Sequence, residues 1–454
     1  MTKHDHHIGA ALRRELGDWR LWWSRAIVMS FAAAAGLTVV GFTWLTEQAL
    51  ALFSGWRDIR PWLPLLWTPA CTAAIVWVTR RYAPGTAGSG IPQVMASLDS
   101  AVDAGHRGLF VSLRLAVAKI CLTAWGLLAG LSLGREGPCV QIAAGVMLAA
   151  RRWLPHRSSV TDHGLLVAGG AAGIAAAFNT PLAGVMFAIE ELSRTPEQRN
   201  SGLIVAAIVL AGLIAVSISG NGTYFGIIHV SDVGWPLLLP GLLVAVSSGL
   251  AGGLFSRLLV ISLGGRSRDW FSRMRQRRPV LFAGLCGLAV AAIGLATAGA
   301  TFGSGYSHTR DMLAGTDSTP AVYVLFKFIA TWLTTWSGVP AGIFAPSLAI
   351  GAALGNDVAL LLHYPNAPTL IALGMAGFLA AATQAPLTSF IIVMEMVDGH
   401  EMVLSLMACA LAASVISRVL SHPLYPSLAK LQLMRLGPPA DPDRTDHAAA
   451  PPRG

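Results

Sequence analysis

Gly134-Arg135-Glu136-Gly137-Pro138 sets an arginine and an acid between glycines, at the head of an apolar run through Val140, Ile142 and Val146. A carboxylate at membrane depth is costly to leave unpaired, so it marks a functional candidate by default. The glycines leave the backbone amides bare and the apolar run predicts a helix, which makes the segment a helix N-terminus able to hold an anion. Glu136 can itself be that anion. A diffusible anion bound there competes with the carboxylate, and a proton on Glu136 releases it. This is the chemistry of a gate or of anion–proton exchange. Burial favours the neutral acid and the amides favour the carboxylate, so two effects of opposite sign bear on it.

Three other stretches carry compatible chemistry. In Gly88-Ser89-Gly90-Ile91-Pro92 the glycines permit a tight turn, Pro92 suits a first helical turn and Ser89 offers a hydroxyl donor. Gly342-Ile343-Phe344-Ala345-Pro346 has no charge and contributes bare amides and a positive dipole end. Tyr425, in His422-Pro423-Leu424-Tyr425, carries a second hydroxyl. Taken singly, each also fits a common loop, a packing element or an interfacial anchor. An intramembrane hydrolase built on Ser89 is disfavoured, because Ala87 stands where a nucleophile turn needs glycine and no histidine sits midway along a long apolar segment.

The elements that must position these residues are membrane helices. The chain has 454 residues, 54% hydrophobic and 12% charged, with mean hydropathy +0.60, which predicts an all-α polytopic membrane protein. No cleavable leader is expected at its start. The net charge of +9 comes from arginines beside hydrophobic spans, where cytoplasmic-loop bias explains it and nucleic-acid binding is not expected. Cys71, Cys121, Cys139, Cys286 and Cys409 are scattered singly and read as small core residues, with neither disulfide nor metal implied. Residues 1–25, with Arg13, Arg14, Arg20 and Arg25, form a basic, amphipathic cytoplasmic segment. Ala26 to Leu52 is long enough to span, and Trp62 to Val78 is a second candidate. Later apolar stretches are cut by glycine and proline, the mark of broken helices lining a cavity. The membrane part ends near residue 432, and 433–454 reads as a disordered cytoplasmic tail.

The halves of this membrane part, about 26–217 and 234–417, repeat. Lys119, Thr123 and Gly134-x-x-x-Pro138 recur as Lys327, Thr331 and Gly342-x-x-x-Pro346 at an offset of 208, while Ala175-Ala176-Ala177, Pro181-Leu182 and Glu190 recur as Ala380-Ala381-Ala382, Pro386-Leu387 and Glu395 at 205. Ala26 to Leu52 maps onto Gly234 to Val260. A basic cluster precedes the first span and follows the second, as Arg266, Arg268, Arg273, Arg275, Arg277 and Arg278. With both clusters cytoplasmic the repeat is inverted, and its two Gly-led helix starts approach each other near the midplane. The side of Arg151, Arg152 and Arg157 stays open. Lys119 and Lys327 fit buried structural roles, paired with carboxylates or helix ends, because a fixed lysine binds a travelling halide too tightly.

Together GSGIP, GREGP, GIFAP and the Tyr425 segment resemble, unaltered and in order, the motifs of the CLC family of chloride channels and chloride/proton antiporters, over roughly residues 20 to 432. The resemblance implies two inverted halves of tilted, broken helices and a homodimer with one pathway per subunit, its interface on Pro181 to Val216 and Pro386 to Ile416. It implies that Ser89 and Tyr425, with the amides of Ile343 and Phe344, hold a central chloride. The amides around Arg135, Glu136 and Gly137 form an outer site, with Ala345 among the chloride-binding residues. Glu136 resembles the external gating glutamate. Glu191, second of the pair Glu190-Glu191, resembles the internal proton-transfer glutamate that transporter members carry, and Glu190 its structural neighbour. The expected function is proton-coupled chloride exchange across a bacterial inner membrane, both termini cytoplasmic. The alternative is a passive voltage- or pH-gated channel of the same fold, and a helix-end acid needing no role is the plain account of Glu191. Gln93 and Met95 stand where relatives often carry acids. No cofactor, enzymatic activity or adenine-nucleotide regulation is expected.

Overall fold

Apolar runs cut by glycine and proline can satisfy their backbone at membrane depth only as helices packed on one another. The computed structural model describes residues 19–100, 102–155, 158–193, 201–220, 224–225, 234–265, 269–315 and 321–434. The first half holds α1 (Trp19–Ile59), α2 (Pro64–Tyr82), α3 (Ile91–Leu98), α4 (Ala104–Arg107), α5 (Leu113–Leu128), α6 (Glu136–Ala149), α7 (Asp162–Phe178), α8 (Pro181–Phe187) and α9 (Ser201–Ser219). The second holds α10 (Leu238–Gly264), α11 (Trp270–Arg277), α12 (Pro279–Ala296), α13 (Tyr306–Leu313), α14 (Val322–Ser337), α15 (Phe344–Leu362), α16 (Ala367–Thr383), α17 (Pro386–Met396) and α18 (Val403–Leu420), and α19 (Leu424–Leu433) follows.

Five of these elements are long and apolar enough to cross a bilayer. α6, α7 and α16 are shorter and buried over nearly their whole length. The outer helices shield these broken ones, as a chain with interrupted spans requires. Small residues allow the close contacts: the backbone of α7 at Gly169 and Gly173 lies against α6, and that of α16 at Gly374 against α15.

The repeat is visible in the contacts between the halves. Asn179 and Gln384, which are 205 residues apart, both end their helices in the left-handed conformation, with φ of 61° and 63°. Glu190 accepts from the N–H groups of Leu387 (3.0 Å) and Thr388 (2.7 Å), at the start of α17. Its counterpart Glu395 accepts from Leu182 (3.2 Å) and Ala183 (2.7 Å), at the start of α8. Each half thus caps a helix of the other with a carboxylate at its positive end.

Three expectations change. α1 is one helix of 41 residues, so Trp19 to Arg25 form its first turns and no boundary falls at residue 26; at about 1.5 Å per residue it is roughly 60 Å long, enough to cross and project. Cys121 is exposed on α5, while the other four cysteines are buried, because the outward face of a membrane helix also takes apolar residues. Neither Lys119 nor Lys327 pairs with a carboxylate, though Lys119 meets the last carbonyl of a short 3-10 turn, Pro84–Thr86. They donate to backbone carbonyls of glycine turns, which lie within reach in a core where few acids are buried. The basic stretch from Arg151 is also located: Arg151 and Arg107 both bind Asp162 (3.2 and 2.8 Å), and Ser158 meets Ser24 at 3.2 Å, so this stretch lies at the Arg20 end of α1. Residues 1–18, Arg157, Arg266, Arg268 and the tail from 435 lie outside the described residues.

Glu395→Ala should lower the stability of the detergent-solubilised protein by about 1–3 kcal/mol, because two helix-start amides lose a charged acceptor. A thermal-unfolding scan unchanged from the parent would remove the reciprocal caps as a stabilising device.

Candidate anion-binding site

The starts of α6 and α15 meet head to head. Gly134 N–H donates to Gly342 C=O at 2.8 Å and Gly342 N–H to Gly134 C=O at 3.0 Å, a single antiparallel bridge between the two loops. The glycines are required by this approach, since a Cβ on Gly342 would stand 2.7 Å from the Gly134 oxygen. The third motif is laced to the same place: Gly88 N–H donates to Val339 C=O and Ala341 N–H to Gly88 C=O, both at 3.2 Å. Tyr425, on α19, stacks its ring on Phe344 at 5.9 Å. All four elements expected to meet therefore do so.

Glu136 is fully buried. Its Oε2 accepts from the Ala345 N–H at 3.4 Å, and Oε1 has no hydrogen-bond partner. The carboxylate lies where two helix N-termini converge, each worth about half a positive charge. Ile343 and Phe344 supply amides at the α15 start, where a helix has no internal acceptors for them. Below this point Ser89, Ile343 and Tyr425 line a cavity of about 80 Å³, room for a few species the size of water. The buried Ser89 and Tyr425 hydroxyls face each other closely enough to interact, yet neither makes a well-formed hydrogen bond. Each such orphan costs about 1–3 kcal/mol. An anion accepting from both hydroxyls offsets that cost, and the donors are neutral, so the ion can leave again.

The Tyr425 hydroxyl also feels both Glu191 and Glu136 electrostatically. Glu191 is 7% exposed, on a wide π-helical turn, Ala188–Leu192, that ends α8. This turn lets Glu190 reach α17 while its neighbour stays inside. The Arg135 side chain points away from the cavity: it donates to Glu47 Oε1 (2.8 Å), Thr43 C=O (3.3 Å) and the Tyr224 hydroxyl (3.0 Å). Gly137 keeps the Ser89 Oγ close, since any Cβ there would collide with it. Among the described residues no His, Cys, Asp and Glu cluster could hold a metal.

The turn carrying Ser89 is braced twice. Lys119 Nζ donates to Thr86 C=O (2.8 Å) and Gly88 C=O (2.6 Å). Gln93 accepts from Gly90 N–H through Oε1 (3.0 Å) and donates to Ala87 C=O through Nε2 (2.5 Å), a pair of bonds that a carboxylate at that position cannot make. Three features went unread in the sequence. Thr301-x-Gly303-Ser304-Gly305 repeats Thr86-x-Gly88-Ser89-Gly90. Lys327 holds it in the same way, donating to Thr301 C=O (3.0 Å) and Gly303 C=O (2.8 Å). Arg275 lines the Ser89 cavity.

Fold and site define a membrane protein of two inverted repeats with a neutral, anion-complementary donor set where they meet. The family description "Voltage gated chloride channel" matches residues 71–418. The chain is 31% identical over 384 residues to the H(+)/Cl(-) exchange transporter ClcA of Salmonella paratyphi A, covering 80% of this chain and 78% of that one. It is 32% identical over 428 residues to the protein of that name from Klebsiella pneumoniae, covering 88% and 87%. A slow cyanobacterial Cl-/H+ antiporter of known crystal structure superposes with a TM-score of 0.79 at 26% identity, covering 91% of this chain and 98% of that one. The chain belongs to the CLC family.

Ser89→Ala should weaken chloride binding about tenfold by calorimetry, the loss of one hydrogen bond to a charged group. Lys119→Met, which frees the Ser89 turn, should weaken it likewise, whereas Lys327→Met should leave it within about twofold; equal effects of the two lysines would show that neither acts through Ser89.

Proposed function

We propose that the protein exchanges chloride for protons across a bacterial inner membrane, with both termini in the cytoplasm. The observation that carries this reading is the Glu136 carboxylate bound to the Ala345 amide, an acid standing where two helix starts would hold an anion. In this reading chloride occupies a central place on the Ser89 and Tyr425 hydroxyls and the Ile343 and Phe344 amides. It displaces the carboxylate from an outer place made by the amides of Arg135, Glu136, Gly137 and Ala345. A displaced carboxylate takes up a proton from the outer solution and, on returning, gives it to the path toward Glu191. Glu191 is the inner proton donor and acceptor, and the Tyr425 hydroxyl, which senses both acids, stands beside that path. The relatives named as H(+)/Cl(-) exchangers support the same activity.

The protein works as a homodimer with a complete pathway in each subunit, since every site element belongs to one chain. Support for the interface on α8, α9, α17 and α18 comes from the outward apolar side chains Leu182, Leu213, Leu387, Leu404 and Leu411.

Simultaneous chloride and proton recording from liposomes tests the reading. Proton uptake should follow a chloride gradient in the unmodified protein. Glu136→Gln should pass chloride without protons and without pH dependence, and Glu191→Gln should pass chloride uncoupled but still pH-sensitive. Chloride flux with no proton movement in the unmodified protein would make it a channel. Ser89→Pro should shift preference from chloride toward nitrate, and unchanged relative fluxes would remove Ser89 as a ligand.

A further inference from the structure

Tyr224 lies in the segment joining the two repeats, outside every motif. Its neighbour Phe225 is pinned by its N–H to Met396 C=O at 3.0 Å. Its own C=O accepts from the Tyr306 hydroxyl at 2.7 Å, and Tyr306 opens α13 behind the second Gly-Ser-Gly turn. The Tyr224 ring packs edge-on against Tyr306 (4.7 Å), Phe225 (5.1 Å) and Phe178 (6.0 Å), and Phe178 in turn lies against Phe344. So held, the Tyr224 hydroxyl accepts from Arg135 Nη2 at 3.0 Å.

Arg135 adjoins Glu136 in sequence, yet its ion-pair partner is Glu47 on α1 at 2.8 Å. Glu47 and Thr43 hold the guanidinium from one side and Tyr224 from the other. We propose that Tyr224 is a positioning residue of the outer gate: its hydroxyl keeps the Arg135 guanidinium turned outward, so that the positive charge does not settle on the Glu136 carboxylate and lock it in the anion site. The inference rests on Glu136 being the gate. The groups that face Glu136 electrostatically are Arg135 on its own loop, Cys139 on α6, Tyr224 of the inter-repeat segment and Tyr425 on α19. Of these Arg135 carries the fixed positive charge, and among the described residues the Tyr224 hydroxyl is its one side-chain partner outside α1. Bringing that charge closer favours the carboxylate over the acid.

The test is chloride efflux from liposomes as a function of external pH, for the unmodified protein, Tyr224→Phe and Tyr306→Phe. Removing the Tyr224 hydroxyl should move the midpoint of acid activation to lower pH by about half a unit, with the maximal rate within about twofold, as expected when one cation draws nearer one carboxylate. Tyr306→Phe leaves that hydroxyl in place but loosens the backbone carrying it, and should give a smaller shift in the same direction. A Tyr224→Phe profile that superimposes on the parent, or that falls equally at every pH with its midpoint unmoved, overturns the positioning role while the gate stands. A flat profile in the unmodified protein overturns the gate and the inference together.

Discussion

Two backbone hydrogen bonds between Gly134 and Gly342 bring two positive helix ends to one point inside a membrane protein, and the rest of the site follows from that meeting. Helix ends so close repel each other unless something negative lies between them. The chain supplies Glu136, whose carboxylate accepts from the Ala345 amide at that meeting point. Because glycine alone permits the approach, the constraint reaches the sequence as glycines at the heads of two otherwise apolar runs.

The convergence is held by further pairings that cross the molecule. The carboxylates of Glu190 and Glu395 cap helices of the opposite half, and Ser132 meets Thr331 between the halves at 2.9 Å. Lys119 spends its charge on carbonyls of the Ser89 turn. These fixed charges are engaged within the fold, as is Arg275 of the Ser89 cavity, which donates to the Trp336 and Ser262 carbonyls.

Much of this was legible in the sequence. GSGIP, GREGP, GIFAP and the Tyr425 segment name stretches that the structure brings together, and the recurring Gly-x-x-x-Pro blocks give the two helix starts that meet. What was hidden depends on partners that leave no local pattern. Glu190 and Glu395 were matched as repeat equivalents, but their acceptor role needs backbone amides about two hundred residues away. The lysines were recognised as buried and structural, yet nothing in the sequence says that their partners are carbonyls. The second Gly-Ser-Gly turn is hidden by Phe302 and Tyr306, where the first has Ala87 and Ile91, and by a spacing of 215 residues against 208 and 205 for the other blocks. Tyr224 belongs to neither repeat, and an aromatic pair, Tyr224-Phe225, in a connecting segment carries no periodic signal.

α19 lies beyond the second repeat, and among the described residues no matching helix follows the first. It gives Tyr425 to the mouth that holds Ser89, while the corresponding turn of the second half faces Tyr224 and Tyr306 instead. A duplicated scaffold inserted in opposite senses has no intrinsic front or back. Here the halves themselves differ, Glu136 standing at the position of Phe344 and Glu191 at that of Met396, and α19 adds Tyr425 to the Ser89 side, so the duplicated scaffold is not symmetric in its chemistry.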